Sequence, residues 1–216
     1  MSRDQTAIPA ATMERAARIP DVVPGVLHRA TSAAREQPWW FSNRDGPGAP
    51  GRFDLEGKFG TCYLAETEMV ALLERFTDPD DLEARVPVSA LESTAVWTVQ
   101  APPPASVADT TDPVGGLPKE IGAGTNYRAC WAWADRLHAD GREGLRYWSR
   151  MAPDASCAVA VFGPMSTVDQ PADGDVWPAG TAVRATRWRD ELVVRGIVAE
   201  VPTLGSLLPG PPPPGV

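Results

Sequence analysis

Histidine and cysteine are scarce in this 216-residue chain, which holds two of the first and three of the second. His28 and His138 stand far apart and no cysteines sit close together, so no zinc ligand set is visible. Cys62, Cys130 and Cys157 are odd in number and widely spaced, which suits reduced thiols buried as small apolar side chains better than a disulfide framework. The sequence also lacks the G-x-S-x-G elbow of a Ser-His-Asp hydrolase, a P-loop and a G-x-G-x-x-G phosphate cradle. A net charge of -8 leaves no basic excess to neutralise a phosphate backbone, which excludes general nucleic-acid binding as a default. An anionic ligand would therefore need a local basic pocket. Residues 1–20 lack the continuous apolar core of a signal peptide, and no uncharged apolar run is long enough to span a bilayer. The expectation is a cytoplasmic protein with no membrane partner.

What is present is the composition of an ordinary globular domain, 43% hydrophobic and 22% charged. The length allows one substantial core. The chain divides into a loosely held arm over 1–20, one domain over 21–205 and a Pro-rich tail over 206–216, which ends PGPPPPGV. Apolar runs predict strands at 25–30, 60–65, 94–100 and 158–162. Arg184 to Trp188 and Leu192 to Val201, flanking Arg189-Asp190-Glu191, read as an antiparallel hairpin. Helical spacing of Val70, Leu73 and Phe76 predicts a helix over 67–76 with Thr67 as its N-cap. A second helix is predicted over 126–140, with Tyr127, Trp131, Ala134 and Leu137 as its apolar stripe and Gly141 as its stop. The Pro-rich connection 101–124 reads as a long loop that folds over a site.

Several polar residues interrupt these patterns. Arg29 follows Val26-Leu27 at a predicted strand end, and Arg52 follows Gly51 in a Gly-rich turn. Singly, each reads as a surface charge; together, their forked donors suit a pyrophosphate. Alternation in GTCYLA places Cys62 and Leu64 on one face and Tyr63 on the other. Tyr63 is then either a stacking or ribose-binding side chain in a cleft or a partly buried core tyrosine. Glu74 comes late in an apolar helical run, where it either wets the helix's outer face or points into a cleft to bind ribose hydroxyls and stabilise positive charge. Glu66 and Glu68 belong to the wet face. In GLRYWSRM, Ser149 either satisfies nearby backbone or holds a substrate or a water; no histidine lies near in sequence to activate it as a nucleophile. Arg150 adds a third cation.

The sequence resembles the RES-domain family, named for an arginine, a glutamate and a serine. The resemblance is carried by LHRA with Arg29, GRFD followed by GTCYLAETEMVALLE, the helix NYRACWAWADRL and the later GLRYWSR, and it runs from about Val26 to Phe162. It implies that Arg29, Glu74 and Ser149 are the three naming residues and catalytic, with Arg52, Tyr63 and Arg150 binding substrate. It also implies an α+β fold like that of ADP-ribosyltransferases, a mixed core of twisted β-sheets with flanking helices and a cleft between them. The implied activity is cleavage of the nicotinamide–ribose bond of NAD by water or phosphate. NAD would be substrate, not cofactor, and the implied setting is a toxin–antitoxin pair with an Xre-like antitoxin. ADP-ribosyl transfer to a macromolecule and a non-catalytic nucleotide-binding module are the rival readings. The Pro-rich insertion 101–124, the acidic balance and the proline tail do not follow from the family pattern. The NAD reading requires Arg29, Arg52, Tyr63, Glu74 and Ser149 to converge on one cleft.

Overall fold

The computed structural model describes residues 19–22, 24–77, 85–100, 106–111, 127–152, 156–167, 172–174 and 176–199. The arm at 1–18, most of the Pro-rich connection and the tail lie outside these. The elements are β1 (Asp21–Val22), β2 (Val26–Ser32), β3 (Phe59–Ala65), α1 (Glu68–Phe76), β4 (Val86–Pro87), α2 (Val88–Glu92), β5 (Thr94–Gln100), β6 (Val107–Asp109), α3 (Arg128–Ala139), β7 (Gly144–Trp148), β8 (Cys157–Pro164) and β9 (Thr181–Arg184). A 3-10 turn (Ala185–Trp188), α4 (Arg189–Val194) and β10 (Val198–Ala199) follow.

One mixed sheet organises the fold, in the order β1-β6-β7-β8-β3-β2-β5-β9, with β10 and β4 forming a small parallel pair. Only β6 and β7 run parallel within the large sheet. The architecture is thus α+β, a large mixed sheet and a two-stranded pair with flanking helices, as expected. The large sheet is nearly divided. β2 pairs with β5 from Val26–Gln100 to Ser32–Thr94, and β3 pairs with β8 from Phe59–Pro164 to Ala65–Ala158. Between β2 and β3, however, the registered pairing is His28 opposite Ala65. The strands therefore splay, and a gap opens in the middle of the molecule.

Alternation sends side chains to two cores. Ala65, Leu145, Tyr147, Ala158 and Ala160 face α1 and α3, meeting Val70, Leu73, Trp133 and Leu137. Leu27, Cys62, Leu64, Val159 and Val161 face the other way, onto Trp39, Phe41 and Trp177. Trp39, Phe41 and Trp133 are fully enclosed, and burial of an aromatic side chain of this size supplies roughly 1.5–3 kcal/mol. All three cysteines are buried free thiols, Cys130 in the first of these cores and Cys62 in the second.

α1 forms as its sequence dictates. The Thr67 hydroxyl accepts from Val70 N at 3.2 Å, Glu68 complements the N-terminal dipole, and Val70, Ala71, Leu72, Leu73 and Phe76 are buried. α3 ends at Gly141, whose φ of 85° is left-handed, with Arg142 N bonding back to Leu137 O. Its buried stripe is Cys130, Trp133, Ala134 and Leu137, whereas Tyr127 and Trp131 are half-buried, Tyr127 lining the cleft described below and Trp131 bonding Gly51 O.

Two further expectations are corrected. The hairpin around Arg189-Asp190-Glu191 does not exist. Those residues begin α4, where Asp190 and Glu191 favour the helix N-terminus, and Leu192 packs inward. The β-branched residues after them suggested a strand, but Gly196 at φ 73° closes the helix first. Within the Pro-rich connection, Val107–Asp109 is a strand between β1 and β7, not loop.

Candidate functional site

The gap between β2 and β3 leads into a cleft of about 300 Å³. Its lining includes Arg29 and Leu64 from one face of the sheet and His28, Ala30, Tyr63 and Ala65 from the other. Neighbours in a strand point to opposite faces, so the cleft passes through the splayed sheet. α1 contributes Glu74 and Arg75, the turn after Pro50 contributes Gly51 and Arg52, and the segments bordering α3 and β7 contribute Tyr127, Tyr147 and Arg150.

Glu74 enters this space because α1 lays its apolar side on the sheet and brings its last turn to the cleft. Ser149, directly after β7, donates from Oγ to Glu74 Oε1 at 2.5 Å. The same Oγ accepts from Met151 N at 3.2 Å, and Ser149 N bonds to Ser156 O at 3.0 Å. Ser149 is 6% exposed and stands behind Glu74 rather than in the cleft wall. With its proton committed to the carboxylate, Ser149 orients Glu74 and is not set up to attack. Its sequence reading as a backbone-satisfying residue is also met, through Met151 N.

Arg52 is the unusual cation. It is only 7% exposed, yet Nε and Nη1 are buried and make no hydrogen bond among the described residues. Its guanidinium lies 5.3 Å from the ring of Tyr147 and 5.7 Å from that of Phe53. Aromatic faces offset part of the cost of burying a cation, but unpartnered N–H donors remain costly until an acceptor arrives. Arg150 approaches from the other strand end and donates from Nη2 to Tyr127 Oη at 2.9 Å. Tyr147 lies between these cations and Glu74. Burial first, then the Glu74 charge, holds its phenol well above the usual range, so it stays neutral.

Arg29 is mid-strand, not at a strand end. Its Nη1 donates to Pro38 O at 2.5 Å, Trp40 O at 3.3 Å and Cys62 Sγ at 2.9 Å. One arm of this guanidinium therefore ties down the segment before Phe41. Tyr63 keeps its ring at the cleft but not its hydroxyl, which donates to Asp54 Oδ1 at 2.8 Å and accepts from Phe53 N at 2.8 Å. Of the two readings left open, a cleft side chain and a partly buried core tyrosine, the structure shows features of both: Tyr63 lines the cleft and packs half-buried against the core, with its hydroxyl engaged by Asp54 and Phe53. His28 bonds Thr98 Oγ1 through Nδ1 at 3.2 Å, and burial lowers its pKa, with Glu68 opposing. Arg29, Arg52, Tyr63, Glu74 and Arg150 thus share the cleft, and Ser149 joins it through Glu74.

Tyr127, Tyr147, His28, Arg75 and Asp54 were not singled out from sequence. Tyr127 looked like core because it falls on the helical stripe. Asp54 carried a signal in GRFD, a carboxylate three residues after a glycine, the spacing of a side chain that caps its own turn.

Among the described residues no helix is long and apolar enough to cross a membrane and no metal-binding cluster occurs. The RES-domain profile matches residues 26–182. Among curated proteins no sequence relative was found. In fold, the chain is similar to the toxin chain of the M. tuberculosis MbcT–MbcA toxin–antitoxin complex, with a TM-score of 0.58 and 16% identity, over 85% of this chain and 98% of that one.

Proposed function

The chain belongs to the RES-domain family, and from that membership and the cleft's chemistry we propose that it cleaves the nicotinamide–ribose bond of NAD, with water or phosphate as acceptor. The observation that carries this reading is the pairing of one oriented carboxylate, Glu74 held by Ser149, with a buried guanidinium at Arg52 whose Nε and Nη1 make no hydrogen bond among the described residues, in the same cleft. A dinucleotide offers complementary groups: a pyrophosphate for the cation and a ribose whose anomeric carbon becomes positive during cleavage for the carboxylate.

Nicotinamide carries a positive ring nitrogen and leaves with the bonding electrons, which neutralise it, so no acid is required. The transition state is oxocarbenium-like. Glu74 stabilises the charge at the anomeric carbon and binds ribose hydroxyls; Ser149 fixes the rotamer in which it does so. Arg52 and Arg150 hold the phosphates, Arg29 braces the opposite wall, and the Tyr63 ring packs against the nicotinamide or ribose. Water or phosphate then adds to the anomeric carbon and releases its proton to solvent, giving ADP-ribose or its 1-phosphate. The rate comes mainly from positioning and charge stabilisation. NAD is the substrate, and no resident cofactor takes part. A toxin role held in check by an antitoxin belongs to the same proposal, and it is supported by the likeness in fold to the toxin of a toxin–antitoxin complex.

Incubation of the purified protein with NAD, following nicotinamide release with and without phosphate, tests the reading. Free ADP-ribose identifies water as acceptor, and a phosphate-dependent rate with ADP-ribose 1-phosphate identifies phosphorolysis. Intact NAD under both conditions rules the proposal out.

A further inference from the structure

Asp54 takes no part in the chemistry above, yet it is 1% exposed and both its oxygens are engaged. Oδ2 accepts from Gly51 N at 2.7 Å and Oδ1 from Tyr63 Oη at 2.8 Å, while Tyr63 Oη itself accepts from Phe53 N at 2.8 Å. Trp131 Nε1 adds a bond to Gly51 O at 2.8 Å. These contacts fix the chain on both sides of Arg52, at 51, 53 and 54, while Nε and Nη1 of Arg52 take no hydrogen-bond partner among the described residues. The turn is thus built without using the Arg52 head group.

We propose that Asp54 is a positioning residue for substrate binding: its carboxylate ties the 51–54 turn to Tyr63 and so holds the Arg52 guanidinium, uncommitted, against the cleft for an anionic diphosphate. This rests on the dinucleotide reading of the cleft.

The turn is packed tightly enough to transmit a change at Asp54. A Cβ at Gly51 would lie 2.6 Å from Tyr63 Oη and 2.9 Å from Asp54 Oδ1. A carboxylate is also the chemistry required, because it accepts at both oxygens. An asparagine offers one acceptor oxygen and a donor nitrogen, so it cannot serve Gly51 N–H and Tyr63 O–H together. Burial, opposed by the Gly51 and Tyr63 hydrogen bonds and the Arg44 charge, raises the Asp54 pKa. A carboxyl raised in the folded state stabilises the fold below its unfolded pKa, and that contribution is lost as pH rises through the folded value. Ionisation of Asp54 therefore makes the fold less favoured at neutral pH than in acid. The titratable and charged groups facing it are Tyr63 and Arg44, from β3 and the preceding loop, with Arg52 beside it in the chain.

The test compares wild type, Asp54→Asn, Tyr63→Phe, the double variant and Arg52→Ala, measuring NAD turnover, calorimetric binding of inorganic pyrophosphate and Tm. Asp54→Asn is expected to lift KM for NAD about tenfold with kcat within about twofold, and to weaken pyrophosphate binding by a similar factor, with Tm showing that the variant is folded at the assay temperature. The double variant should bind no worse than the weaker single variant, because both lose the same link. Unchanged KM and pyrophosphate affinity in Asp54→Asn overturns the inference, as does a fall in kcat and Tm with KM unchanged, or a wild type whose pyrophosphate binding is absent or indifferent to Arg52→Ala. A wild type that binds pyrophosphate through Arg52 but leaves NAD intact sinks the proposed reaction, and the role of Asp54 is then decided by pyrophosphate affinity alone.

Discussion

Glu74 and Ser149 divide the work at the cleft's centre, and the division fixes what each substitution should do. Glu74 faces the reacting carbon in the proposed reaction, whereas Ser149 reaches it only through the 2.5 Å bond to Glu74 Oε1. Glu74→Gln keeps the shape and a partner for Ser149 but removes the charge. Its kcat for nicotinamide release should fall about 10²- to 10³-fold, the scale for loss of one preorganised electrostatic group. Ser149→Ala should fall by less, about tenfold, because the carboxylate remains and loses only its orientation. If Ser149→Ala were the more damaging change, Ser149 would be acting on the substrate itself. Arg52 poses the opposite case. Its buried Nε and Nη1 find no acceptor among the described residues, so Arg52→Met should leave Tm unchanged or higher while raising KM steeply. Thermal melts beside steady-state kinetics would show whether stability and binding separate in this way.

At the scale of elements, α1 links sequence to site most directly. Its apolar residues settle its orientation, and Glu74 is carried to the cleft as a consequence. Thr67→Ala removes the N-cap and should cost about 1 kcal/mol, a fall in Tm of about 2–4 °C for a chain of this size. Activity per folded molecule should persist, because Glu74 lies at the far end, where Ser149 and the Thr77 N–H bond to Leu73 O hold the last turn. A loss of activity without a loss of Tm would mean that the cap sets the register of Glu74. α1, the Tyr63 alternation and the strand at Thr94–Gln100 were legible because each is governed by local periodicity and burial. The α4 segment was misread because its β-branched residues favour strands while its acidic start and Gly196 favour a helix, and tertiary packing of Leu192 decided between them. The Asp54–Tyr63 bond could not be read at all. It depends on how a turn folds back on a strand, which no spacing rule encodes. Arg29 stood out in the sequence and lines the cleft, but its bonds to Pro38 and Trp40 carbonyls depend on how the loop before Phe41 folds back.

For the whole molecule, the gap between β2 and β3 gathers costs that a ligand would relieve. Two titrations act in opposite directions on acidification. His28 has a pKa lowered by burial, so below the unfolded value of about 6.5 the unfolded chain takes up a proton that the fold resists, and stability falls. Asp54, raised by burial, is protonated earlier in the fold than in the unfolded chain, so at lower pH it restores stability. His28→Gln should therefore flatten the loss of Tm between about pH 7 and 5, whereas Asp54→Asn should flatten the recovery at more acid pH. Melting curves across this range would separate the two. Ligand binding then acts on the same balance. ADP-ribose carries the diphosphate and ribose without the leaving group, and at 100 times its Kd it should add about 2.7 kcal/mol. That corresponds to a Tm rise of roughly 5–10 °C for a domain of this size. The rise should be lost in Arg52→Ala and reduced in Asp54→Asn, while Thr67→Ala, distant from the diphosphate, should melt lower yet show the full ligand shift. An equal shift in Arg52→Ala would place the diphosphate elsewhere in the cleft and overturn the role given to the buried guanidinium.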